Sequence, residues 1–108
     1  MKLSIQELIE QLQDKVLKYT QGTDSTIHPY DITELLLELR EEDEKVYLEE
    51  LAKFPQELKA LVMIELPRHC HEEIVEYFTT NELADLTNTL DTDDAAELIR
   101  NIEEVDED

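Results

Sequence analysis

Residues 90–99 read LDTDDAAELI and hold the strongest candidates for chemistry in the chain. Asp91, Asp93 and Asp94 fall within four positions, Glu97 follows one helical turn later, and no lysine or arginine intervenes before Arg100. Like charges three or four apart on a helix repel by a few tenths of a kcal/mol. The cluster therefore costs stability unless something positive meets it. A basic partner or a divalent cation would answer that cost. A plainer reading stands beside this one. Asp91 is a good helix N-cap, and its neighbours complement the positive end of a helix dipole. Asp31 and Glu34, at i, i+3 near another helix start, allow the same two readings.

The other reactive residue types lead nowhere. RHCHEE, residues 68–73, offers His69, Cys70, His71 and two glutamates. Residues two apart on a helix diverge by about 200°, and the i, i+4 spacing of a helical zinc motif is missing. Zinc is not expected there, and a Cys–His dyad fails because adjacent positions point apart. Cys70, Ile74, Val75 and Phe78 read better as a buried stripe. No glycine-rich loop could cradle a phosphate. Carboxylate pairs are too abundant to diagnose acid–base catalysis. No enzymatic activity is expected.

The totals narrow the partners. In 108 residues, 29 are acidic and 9 basic, a formal net charge of −20. Nucleic acid and anionic lipid are disfavoured, because both need clustered Lys and Arg. A basic partner or a divalent cation is favoured, and solubility alone is the bland alternative. A single cysteine excludes an intrachain disulfide and suits a reducing cytoplasm. The longest apolar run, LVMI at 61–64, is far short of the roughly 20 residues of a membrane span. The N-terminus lacks the apolar core of a secretory signal. Direct membrane insertion is not expected, so a membrane would be served from its cytosolic side.

The elements that position these residues are helices. One glycine and three prolines leave little material for hairpins. Ser4 and Glu7 form a capping-box pattern, and Ile5, Leu8, Ile9, Leu12, Val16 and Tyr19 follow as one apolar stripe. Gly22 and TQGTDST end that helix. Six segments follow, whose last apolar residues are Leu39, Leu51, Leu66, Phe78, Leu90 and Ile102, mostly twelve apart. Each has apolar spacing for a helix of about eight to ten residues and opens with a start signal. Pro29, Pro55 and Pro67 suit the first helical position, Thr79 with Glu82 repeats the capping box, and LREEDEK reads as an acidic first turn. In IHPYDITELLLEL, His28 can cap, while Ile32, Leu35, Leu36 and Leu39 face inward. Helices this short are stable only when stacked on neighbours. The expected fold is an all-α superhelix of about seven short helices with an internal repeat of about 12 residues. Residues 1–22, a helix and loop, and the repeat region 23–108 are expected to form one compact domain.

IHPYDITELLLEL, then FPQELKALVMIELP, then LDTDDAAELI, in that order over residues 27–102, resembles the cytosolic N-terminal domain of MgtE magnesium channels. Flagellar motor switch proteins carry similar short helical repeats, which leaves a protein-interaction scaffold as the alternative. The MgtE resemblance implies a right-handed superhelix. It also implies a domain that docks onto CBS domains of the full-length chain, which lie outside these 108 residues. Mg2+ fills the acidic interface, weakly held by either side alone, and the packed form closes the pore. The full-length protein would be a homodimer with this domain on the cytoplasmic side of the cell membrane. By the family pattern Asp93 and Glu97 approach the CBS side, opposite an inward stripe of Ala95, Leu98, Ile99 and Ile102. Asp91, Asp94, Asp31 and Glu34 are secondary metal candidates. The family's fourth helix can add an acidic ligand; this chain has Leu61 there, with Glu65 one turn on.

Overall fold

The computed structural model describes residues 4–23 and 25–106, the side chains of 104–106 excepted. Among the described residues there are seven helices and no strand. They fall into two compact units, residues 1–54 and 55–108.

The first unit holds α1 (Ile5–Gln21), α2 (Pro29–Glu42) and α3 (Glu44–Ala52). The capping box at Ser4 forms as expected: its hydroxyl accepts from Glu7 N at 3.1 Å, and Glu7 returns the bond to Ser4 N. Gly22 closes α1 in the left-handed region, at φ 68°, and its N–H reaches back to Tyr19 O. A Cβ there would touch nothing within 4 Å, so the glycine is needed for its backbone angle alone. α1 packs on α2 and α2 on α3. Leu8, Leu12, Ile32, Leu36, Leu39, Tyr47 and Leu51 form the core. A polar tie crosses it. Glu50 is buried, accepts from Gln13 Nε2 of α1 at 3.0 Å and pairs with Lys53 at 2.7 Å. That pairing holds the Lys53 ammonium above its ordinary range.

The second unit holds α4 (Gln56–Glu65), α5 (Arg68–Tyr77), α6 (Thr80–Asn88) and α7 (Thr92–Asp106). α7 packs on each of the other three, with Leu98 buried among its described side chains. Leu58, Val62, Met63, Cys70, Ile74, Phe78, Leu83 and Leu86 supply most of the remaining core. From α3 onward the helices start at Glu44, Gln56, Arg68, Thr80 and Thr92, each twelve residues after the last.

Four details differ from the sequence reading. Pro29 does occupy the first helical position, but Pro55 and Pro67 are N-caps. Their ψ values of 147° and 155° are extended, and a proline ring tolerates an extended ψ as readily as a helical one. LREEDEK is not a first turn. Glu41 and Glu42 end α2, because Asp43 serves as both C-cap of α2 and N-cap of α3, its Oδ1 accepting from Lys45 N and Val46 N. α2 and α7 run to 14 and 15 residues, longer than the eight to ten expected of a repeat unit. Ile99 does not face inward; it is 43% exposed.

The junction of α4 and α5 explains a buried histidine. The residue before a proline is driven extended, so Leu66 leaves the helix at ψ 145° ahead of Pro67. Met63 O would find its helical partner at residue 67, and proline has no N–H to give. His71 Nε2 supplies the bond at 2.8 Å. A carbonyl only accepts, so the hydrogen sits on Nε2, and Nδ1 is left buried without a partner. Replacing the donor ring by a somewhat larger apolar one, His71→Phe, strands the Met63 carbonyl. Urea unfolding of the variant is expected to show a loss of about 1–3 kcal/mol. Unchanged stability would mean that water caps α4 equally well.

Candidate acidic site at the start of helix 7

The carboxylates of LDTDDAAELI divide by role. Asp91 Oδ1 accepts from Asp94 N at 3.0 Å, and Asp91 O accepts from Ala95 N. Asp91 is thus the N-cap of α7, with one carboxylate oxygen committed to the backbone. Asp93 and Glu97 are exposed, one turn apart, and neither has a hydrogen-bond or ion-pair partner among the described residues. They lie across the helix from Leu98 and from half-buried Ala95 and Ile102. The outward placement expected for this pair is therefore what the fold produces.

Asp94 shows what the crowding does. Partial burial comes first, followed by the negative charges of Asp91 and Glu97, a hydrogen bond with Asp91 and the charge of Asp93. Together they hold its carboxyl above the ordinary range. Glu82 occupies the equivalent third position of α6 and behaves oppositely. It accepts from the Thr79 backbone N–H at 3.0 Å, bonds the Thr79 hydroxyl region of the same capping box, and sees Lys59, so its carboxyl lies below the ordinary range. Two helix starts of the same kind therefore carry opposite electrostatic loads. The dipole favours acid at both. Of the two, only at α7 do partial burial and then the neighbouring carboxylates outweigh it.

Asp31 and Glu34 belong to the first unit. Asp31 Oδ2 accepts from His28 N at 3.0 Å, which makes it a capping group of α2, and Glu34 is exposed. Leu61 is half-buried, whereas Glu65 is exposed. Among the described residues no three His, Cys, Asp or Glu side chains converge into a metal-holding group. His69 is exposed while His71 and Cys70 are buried, so the RHCHEE side chains do not present a common face.

The profile of the MgtE intracellular N domain matches residues 27–108. The chain belongs to the MgtE N-domain family. No curated protein and no solved structure matches it. MgtE N domains are transport-associated helical domains connected with magnesium transport. The match covers α2 to α7 and leaves α1 outside it. No helix among the described residues is long and apolar enough to cross a membrane.

The raised Asp94 carboxyl has a consequence for stability. A folded-state pKa above the unfolded value means the folded chain favours the proton; that stability is full below the unfolded value and is lost as pH rises through the folded one. Ionised Asp94 is thus a burden at neutral pH. Asp94→Asn is expected to raise the melting temperature at pH 7 and to lose that advantage below about pH 4, where aspartates protonate. Melting curves of both forms between pH 3 and 7 test this; a gain that does not vary with pH would assign it to something other than charge.

Proposed function

We propose that this chain is the magnesium-responsive regulatory domain of a magnesium channel or transporter. It acts on the cytoplasmic side of the membrane, and its acidic face docks onto CBS domains of a homodimeric full-length protein. The observation that supports this most directly is the start of α7, where Asp93 and Glu97 stand exposed and, among the described residues, unpaired beside an Asp94 whose ionisation is opposed by partial burial and by its neighbours. The donors are all carboxylate oxygens, which fits a hard cation that keeps much of its water shell. Bound there, a divalent cation supplies the positive charge that the helix start lacks. Asp93 and Glu97 hold an outward, one-sided ligand set, which is incomplete until a second surface closes over it. Docking is then linked to the ion by differential affinity: an ion that binds the docked state better stabilises that state, by that difference and no more. High cytosolic magnesium would thereby favour the closed pore.

Two measurements separate this reading from helix capping. The isolated chain should bind Mg2+ weakly, at or above about 1 mM, since partial oxygen sites reach only about 10⁻⁴ to 10⁻³ M even for calcium. A micromolar saturable site in calorimetry would contradict a shared interface. In the full-length channel, Asp93→Ala with Glu97→Ala should shift inhibition to higher cytosolic magnesium while leaving the domain folded. The repulsion removed and the dipole complement lost each amount to a few tenths of a kcal/mol. Open probability against magnesium decides; unchanged inhibition in a folded double variant would return both residues to surface charge.

A further inference from the structure

The second unit carries an open groove that none of this uses. On one wall α6 presents Thr80, Leu83, Ala84 and Thr87, the spacing of a single helix face. On the other α7 presents Ile99, Ile102 and Glu103, and Val75 of α5 completes the lining. The volume is about 370 Å³, at the small end of the range for pockets that enclose a whole ligand. Ile99 is 43% exposed on its wall, although α7 buries Leu98 one position earlier almost completely. At roughly 100° per residue, the groove face of α7 lies about 150° round the helix from the Asp93–Glu97 face. The two surfaces are separate.

We propose that this groove docks an amphipathic helix that carries Lys and Arg beside its apolar ridge. An apolar trough between two helices accepts the ridge of a third, with anchors at i, i+3 or i+4, and i+7. Charge selects the flanks. Among the described side chains, α6 carries Glu82 and Asp85 with no base, Glu103 stands on the groove wall itself, and Arg100 is the one base of α6 and α7. Glu103, on the groove wall, lies within about one Debye length, roughly 8 Å, of any occupant. A second copy of a chain with net charge −20 is repelled from it, as is an anionic membrane or a nucleic acid. A cationic helix gains both the apolar burial and the field. The proposal does not depend on the magnesium reading.

The probe is an 18-residue helical peptide with leucines on one face and lysines on the other, compared with its leucine–glutamate counterpart. The lysine peptide is expected to bind the 108-residue chain and to shift the Ile99, Ile102 and Val75 methyl signals, with affinity falling as salt rises. Ile99→Glu and Ala84→Arg change exposed groove residues and should each weaken binding by at least about tenfold. Glu103→Gln should weaken it less and flatten its salt dependence. Asp93→Ala with Glu97→Ala should leave the methyl shifts in place, which separates this surface from the metal-responsive one. Equal binding of the glutamate peptide would overturn the proposal. So would affinity that survives both Ile99→Glu and Ala84→Arg in chains whose helicity is intact, or absence of any binding by the lysine peptide.

Discussion

Helices α3 to α6 are nine or ten residues long, and no helix of that length persists alone in water. Each must bury a stripe against a neighbour and dispose of its unpaired end groups. The rest of the structure follows from those two demands. In the second unit, α7 answers the first by lying against α4, α5 and α6 at once. The second is met locally, by a different device at almost every end: a hydroxyl at Ser4 and Thr79, a carboxylate at Asp43 and Asp91, a glycine at Gly22. At the end of α4 no local device exists, because Leu66 is extended and Pro67 lacks an N–H. The bond is supplied from the next helix, by His71.

The acidity of the chain is not evenly stressed. Most carboxylates are exposed, and some, such as Glu7 and Glu82, accept hydrogen bonds from helix-start N–H groups. Glu50 is buried and doubly bonded. The first turn of α7 differs because its one cap, Asp91, is itself an anion, and no cation stands among Asp93, Asp94 and Glu97. A neutral cap such as Thr79 leaves room for an acidic third residue; a charged cap followed by two more charges does not. This is a local surplus of charge rather than a general property of an acidic protein.

Much of this was legible in the residues. The capping boxes at Ser4 and Thr79, the glycine stop at Gly22 and the stripes through Ile32, Leu36 and Leu39 appear where spacing puts them, because each depends on residues within a turn or two. The outward pair Asp93 and Glu97 was legible for the same reason. The failures share the opposite cause. The sequence presents His71 only as a candidate zinc or dyad partner of Cys70, since the carbonyl that needs it lies eight residues away and is orphaned by a proline. Nothing in the sequence singles out Glu50, because Gln13 reaches it from another helix. Ile99 fitted an inward stripe, but α7 turns only part of that stripe to its neighbours. Asp43 was lost in a run of acids, because nothing in the pattern alone tells which member of the run interrupts the helix.

The double duty of Asp43 reaches beyond stability. One residue ends α2 and begins α3, so the joint has no spare length, and one inserted residue would turn α3 by about 100° against the helix before it. The following starts at Gln56, Arg68, Thr80 and Thr92 keep the same count of twelve across joints of only two or three residues. Such a chain evolves by substitution and resists changes of length. The polar stretch between Gly22 and His28 is the exception. It separates α1 from α2 by more residues than any later joint, so a change of length there rephases no short joint.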